Sequence, residues 1–146
     1  MTQTLASATR PHLYSRPVRM SDLDSFNHVN NVRLLEMIQD AHMDLLYLQQ
    51  GRPGQEVRPS IVYTRHELDY TEPLVPEPEP VTIRTTVTSV RRASFHLVSR
   101  ITRGPRTFCT CASTLVAYDL TARCSRRLDE GELAVLGRHT AVETER

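Results

Sequence analysis

The run NNVRLLEMIQDAHMDLLYLQQ, residues 30–50, carries the strongest helical period in the chain. Leu34, Ile38, Ala41, Leu45 and Leu48 recur in steps of four, three, four and three, and Leu35, His42 and Leu46 widen the stripe. Such spacing places apolar side chains on one helical face, so the run predicts a helix with one deeply buried side. Asn30 or Asn31 can cap its start, and Gly51 followed by Pro53 ends it. At about 1.5 Å per residue it would be ~30 Å long, enough to cross a small domain.

Working outward, the flanking sequence reads as strands. His12–Met20 is a first strand, with Pro17 suited to an edge or bend. Residues 59–71 are rich in Ile, Val, Tyr and Thr, and residues 81–91 and 94–103 alternate apolar with polar. Residues 106–120 are apolar or small on both faces, as a central strand requires. Arg92-Ala93 and Gly104-Pro105 are short enough for hairpins. Residues 72–80, EPLVPEPEP, hold four prolines and three glutamates and read as a stiff exposed connector. A short helix is expected over 128–137. One long helix beside one antiparallel sheet is a two-layer α+β fold. The expected divisions are a flexible segment over 1–11, one domain over 12–138 and a flexible tail over 139–146.

Composition narrows the function. With 146 residues the chain is one domain in length. A net charge of +1 and few aromatics argue against nucleic acid as a partner. No apolar run reaches membrane-spanning length. The N-terminus lacks a basic start followed by an apolar stretch, so no secretory signal is expected. There is no lysine, which excludes a lysine Schiff base and a P-loop lysine. Cys109 and Cys111 fall on one face of a strand and read as core residues, and Cys124 lies near the end of the β region. An odd number of free thiols fits a cytoplasmic protein. His12, His66, His96 and His139 show no ligand spacing, so no metal is expected, and His42 reads as a satisfied core histidine.

The chemistry concentrates at Arg19–Asn31, between the first strand and the helix. Two carboxylates, one imidazole and three amides fall within ten residues, 22–31. Ser, Asp and Asn gather before helices because they cap them, and capping alone accounts for the cluster. A helix N-terminus also presents unpaired N–H groups and a partial positive charge, which would stabilise an oxyanion. A carboxylate just upstream could attack the same carbonyl or activate a water. On the residues alone both readings stand.

The run Asp22-x-Asp24-x-x-x-His28-Val29-Asn30-Asn31, followed by a long helix, closely resembles the hot-dog-fold acyl-CoA thioesterases of the 4-hydroxybenzoyl-CoA thioesterase type. Glu67-Leu68-Asp69-Tyr70-Thr71-Glu72-Pro73-Leu74 is similar to that family's second strand and exit, and Leu115-Val116-Ala117-Tyr118-Asp119 to its last strand. The resemblance covers about residues 12–135. It implies a five-stranded antiparallel sheet wrapped around one long central helix. It implies hydrolysis of an acyl-CoA to a carboxylic acid and free CoA, with no cofactor beyond the CoA of the substrate. The family's catalytic acid lies four residues before the motif histidine, which selects Asp24 as nucleophile or general base. Asp22 matches a loop-shaping acid. The residue seven beyond Asp24 is Asn31, whose backbone N–H would polarise the thioester carbonyl. His28 and Asn30 would shape the pocket or bind a water. Asn27 stands where relatives commonly have Gly; Asn tolerates positive φ, and here it would border the substrate's approach. Arg91, Arg92 and Ser94 fall at a hairpin that is either a solvated turn or a contact for CoA phosphates. Relatives pair edge to edge, implying a homodimer or a dimer of dimers. Three alternatives stay open: an acyl-carrier-protein thioesterase, a hydratase/dehydratase, and a non-catalytic acyl-thioester-binding module. The hydratase pattern Asp-x-x-x-x-His is not met by Asp24 and His28, which have three residues between them.

Overall fold

A computed structural model describes residues 9–47 and 60–140. Its elements are β1 (His12–Arg16), α1 (Asn31–Leu46), β2 (Ile61–Tyr70), β3 (Val81–Val90), β4 (Ser94–Arg103), β5 (Arg106–Asp119), β6 (Cys124–Ser125) and α2 (Glu130–Arg138). The helix start agrees with the cap signal: Asn30 is the N-cap and its side chain accepts from the Val32 amide. Leu48, Gly51 and Pro53, expected to end the helix, lie outside the described residues. Among the described residues no helix is long and apolar enough to cross a membrane.

All neighbouring strands pair antiparallel, in the order β1-β3-β4-β5-β2, with β6 added beside β5. One expectation needs correction. Among the described residues the sheet has six strands rather than five, because Asp119 accepts from the Thr121 and Ala122 amides and turns the chain so that Cys124–Ser125 pairs back. The short helix expected over 128–137 forms at Glu130–Arg138 and contributes to the core. Its Leu136, with Leu128, joins Val87, Phe95, Leu97, Leu115 and Ala117 in one apolar cluster. Asp129 and Glu132 cap this helix reciprocally, each side chain accepting from the other's amide. Beyond it, the His139 carbonyl accepts from the Val87 amide, and Thr140 bridges to Val87.

The larger apolar cluster lies at the other end of the strands, around Leu34, Met37, Ile38, Ile83, Ile101 and Phe108. Leu74 belongs to it and is 1% exposed, while Pro73 and residues 76–80 of the connector are exposed as the prolines suggest. Proline removes amide donors but not carbonyls, and the Leu74 carbonyl accepts from the Val29 amide at 2.8 Å. The connector is thereby tied to the segment that leads into α1.

Between the two clusters runs a belt of polar side chains. His42 Nδ1 is hydrogen-bonded to the Tyr63 hydroxyl at 2.8 Å and Nε2 to the Ser99 hydroxyl, which meets Thr85, each again at 2.8 Å. At the β1 end His12 meets Asp44 at 2.7 Å. His42 has no exposed surface, and burial pushes its imidazole down to about 3, so it stays neutral. The nearby His66 and His12 act in the same direction. The unfolded chain therefore takes up a proton near pH 6.5 that the folded chain refuses. Stability from His42 is complete above that pH and falls as pH drops toward 3, by up to about 1.4 kcal/mol per unit. Accordingly, His42→Gln, which keeps a donor and an acceptor but cannot titrate, should lose less melting temperature between pH 7 and 5 than the wild type loses. Parallel losses in the two proteins would contradict a titrating His42.

Candidate active site

The chain leaves β1 through Arg16 and enters a single helical turn, Met20–Asp22, whose geometry is set by one buried carboxylate. Asp22 is 3% exposed; both its oxygens lie 3.1 Å from Arg16 Nη2, and it accepts from the Arg19 amide at 2.8 Å. The Asp22 carbonyl accepts from the Asn30 amide, fastening the start of the loop to the start of α1. Inside that clasp Leu23 bridges to Val29, and both pack on the larger apolar cluster.

The residues between form a tight turn presenting Asp24. Its amide donates to the His28 carbonyl at 2.8 Å, and its carbonyl accepts from Asn27 at 3.1 Å. Asp24 Oδ1 accepts from the Phe26 amide at 2.9 Å and the His28 amide at 3.2 Å. Oδ2 takes no hydrogen bond among the described residues and remains available for chemistry. The reversal needs a left-handed residue at Asn27, where φ is 60°; asparagine supplies it at less cost than a branched side chain.

Asp24, His28, Asn31, Leu34, Tyr70 and Leu74 border a cavity of about 260 Å³, with Thr71, Glu72 and Pro73 completing one side. The first four amides of a helix lack partners within it. The Val32 amide is met by Asn30, whereas the Asn31 amide meets no acceptor among the described residues. Asp24 and the first residue of the helix therefore border one space. Such a pair can place an attacking oxygen on one side of a carbonyl and stabilise negative charge on its oxygen.

The other expected residues divide. His28 borders the cavity. Asn30 caps α1, and Asn27 forms the turn's apex outside the cavity lining. Arg91, Arg92 and Ser94 are not brought to it within this chain. Arg16 pairs with Val81, so the Asp24 loop leaves from the Val81 end of β3, while Arg91–Ser94 turn beyond Val90. At about 3.3 Å per residue these ends are ~30 Å apart. There the Arg91 amide donates to the Ser94 carbonyl, and the Arg92 carbonyl holds the Leu128 amide. The segment Tyr70–Leu74 also lines the cavity, beyond the residues that the motif at 22–31 names. Tyr70 donates to the Asn31 carbonyl at 3.3 Å, and burial raises its hydroxyl's pKa, keeping the proton in place. Only strand register reveals that contact.

A family model described as the thioesterase-like superfamily matches residues 18–141. No curated protein sequence matches the chain significantly. Among solved structures, a hypothetical protein from Staphylococcus aureus in complex with CoA superposes with a TM-score of 0.79 at 14% identity, covering 94% of this chain and 90% of its own. A predicted thioesterase from Bacillus stearothermophilus gives 0.77 at 16%, covering 90% and 97%. A thioesterase from Thermus thermophilus complexed with coenzyme A and zinc gives 0.72 at 23%, covering 87% and 98%. At such identities the superpositions establish a shared fold.

The two acids of the loop separate by experiment. Asp22→Asn leaves the Arg16 guanidinium, 14% exposed, without its counter-charge and should cost about 3 kcal/mol in urea unfolding. Asp24→Asn keeps an oxygen for both amides and should cost less than about 1 kcal/mol. A reversed order would contradict this division of labour.

Proposed function

We propose that this chain, a thioester hydrolase that belongs to the thioesterase-like superfamily, cleaves an acyl-CoA to a carboxylic acid and free CoA. The observation that carries the reading is the shared cavity of Asp24 and the Asn31 helix start. CoA enters as part of the substrate and leaves as product, so the reading assigns no separate cofactor.

In this reading the thioester carbonyl lies at the start of α1. Its oxygen accepts from the Asn31 amide, whose donor strength grows in value as negative charge develops. Asp24 Oδ2 attacks the carbonyl carbon or takes a proton from a water that does. The C–S bond breaks, and the CoA sulfur leaves as thiolate and is protonated. The two Asp24 roles differ in one respect: direct attack passes through an acyl–carboxylate anhydride that water then opens.

Self-association completes the proposal. β2 is a ten-residue edge strand whose outer side has no partner strand in the described chain. Phe26 and Val32, 78% and 64% exposed, are close in sequence to the cavity-lining Asp24 and Asn31. A second copy pairing at such an edge would cover open backbone groups and apolar surface together. Arg91 and Arg92, too far from their own Asp24, would then serve a CoA bound to the second copy.

The deciding experiment measures release of free CoA thiol from a panel of acyl-CoAs. Asp24→Asn should lower kcat by about 10²–10⁴-fold with KM little changed. A variant with near-normal kcat would overturn the assignment. The double variant Arg91→Ala, Arg92→Ala should raise KM more than it lowers kcat, with a deficit that shrinks at high salt. An unchanged KM would return both residues to a solvated turn.

A further inference from the structure

One side of the cavity belongs to no strand or helix. Thr71, Glu72, Pro73 and Leu74 line it from the connector between β2 and β3. This strap meets the site at two points: Tyr70, just before it, donates to the Asn31 carbonyl at 3.3 Å, and the Leu74 carbonyl accepts from the Val29 amide at 2.8 Å. Glu72, Val75, Glu77 and Glu79 each stand immediately before a proline. A residue before proline is confined to extended backbone, and each proline removes an amide donor. Such a strap cannot join a sheet through a ladder of its own amides. It offers carbonyls and carboxylates, and it needs donors from elsewhere to hold it.

Two arginines at the β4–β5 hairpin supply those donors, and their partners are the four residues that precede the prolines. Arg103 donates from Nε to the Glu79 carbonyl at 3.0 Å and from Nη1 to the Val75 carbonyl at 3.1 Å, with the Glu77 carboxylate 3.5 Å from Nη1. Arg106 donates from Nε to the Glu72 carboxylate at 2.8 Å and from Nη1 to that of Glu77 at 3.3 Å. The centre of the Phe108 ring lies 5.6 Å and 5.0 Å from the two guanidinium carbons. Beside them the Phe108 and Thr107 carbonyls accept from the Thr71 amide and hydroxyl. From Thr71 to Glu79 the strap is held along one hairpin.

Arg103 is the unusual member of the pair. It continues the inward series Phe95, Leu97, Ser99 and Ile101 of β4 and is 4% exposed. An apolar side chain there would extend the core without desolvating a charge, whereas a buried guanidinium must be compensated bond by bond. The compensation is incomplete, because Nη2 is buried without a partner among the described residues. A side chain that costs stability at its position, and whose donors go to the strap, points to a role in placing the strap. Arg106 is 43% exposed and gives a counter-charge to Glu72, the acid of the strap that borders the cavity.

We propose that Arg103 is a positioning residue of the candidate active site. Through the Val75 and Glu79 carbonyls it fixes Leu74, and through the Leu74 carbonyl it fixes Val29, which lies between the Asp24 turn and the start of α1. Arg106 assists by holding Glu72 at the cavity. The proposal rests on the thioesterase reading above and adds to it a residue that does not line the cavity. Reacting groups displaced by about 1 Å lose much of their rate, so a remote grip on the wall acts on the chemistry. Lysine at position 103 would keep the charge, but one ammonium does not span two carbonyls as the planar guanidinium does.

The test compares the wild type with Arg103→Met, which keeps an unbranched stem beside Phe108 but no donors, and with Arg103→Lys. Leu136→Ala, in the other apolar cluster, controls for lost stability alone. Thiol release from acyl-CoA is measured well below every melting temperature. Arg103→Met should lower kcat at least tenfold and raise KM at least threefold, Arg103→Lys should fall between it and the wild type, and Leu136→Ala should stay within twofold on both. Loss of folded protein lowers the apparent kcat and leaves KM unchanged, so the two constants separate displacement of the wall from unfolding. Amide exchange followed by NMR reads the strap without turnover. The Val29 amide should exchange at least tenfold faster relative to the Val87 amide in Arg103→Met, and no faster in Leu136→Ala. If Arg103→Met does not fold, Arg103→Lys and Arg106→Ala should shift KM and the exchange ratio in the same direction by at least twofold. If no acyl-CoA releases thiol from the wild type yet the exchange ratio rises in Arg103→Met, the hydrolase reading fails and the grip on the cavity wall stands. An unchanged exchange ratio, or a lower kcat with KM as in the wild type, would overturn the proposal.

Discussion

One helix cannot cover this sheet. An α-helix with its side chains is about 10 Å wide, whereas five strands at about 4.8 Å spacing set the outermost strand axes about 19 Å apart. α1 settles over β1, β3 and β4. The remaining apolar surface is covered by other means. α2 closes the Val87–Leu115 end, and Leu74, carried by the proline-rich connector, closes the Val81 end. α1 reaches β2 through side-chain bridges at Tyr63, His66 and Tyr70. The candidate site sits where α1 begins, with Asp24 in the tight turn that leads into it.

The polar belt is the second consequence of this geometry. A continuous apolar core would gain more from burial, yet Thr85, Ser99 and Ser113 sit at inward positions of three successive strands. Each of these three is satisfied, whereas His12 Nδ1, at the β1 end of the belt, has no partner among the described residues. Neutral His42 is its centre because one ring nitrogen accepts while the other donates, joining β2 to β4 through the helix. Such a belt makes helix position over the sheet specific, since sliding α1 by one turn would orphan several groups together.

Much of the arrangement was legible in residue order. The Leu34–Leu45 stripe, the Asn30 cap and the strand alternation all depend on neighbours within a few positions, where physical preference is strongest. The choice of Asp24 and Asn31 came instead from the family resemblance, since capping alone accounts for the same cluster of residues. What was hidden depends on register between distant strands. His66 read as one of several scattered histidines, and only its pairing opposite Ser113 places it beside Gln39. Proline richness suggested exposure for Leu74, although its carbonyl and side chain turn inward. Arg91 and Arg92 illustrate a third limit. Positive charge at a hairpin says nothing about which end of a sheet the hairpin occupies.

The central claim is convergence of Asp24 and the Asn31 amide on one carbonyl. A crystal structure with a bound S-(2-oxoalkyl)-CoA analogue, whose ketone replaces the thioester carbonyl, tests it most directly. The account predicts the ketone oxygen within hydrogen-bonding distance, about 3 Å, of the Asn31 nitrogen, with Asp24 Oδ2 facing the carbonyl carbon. A ketone bound away from the start of α1, with Asp24 turned from it, would contradict the account.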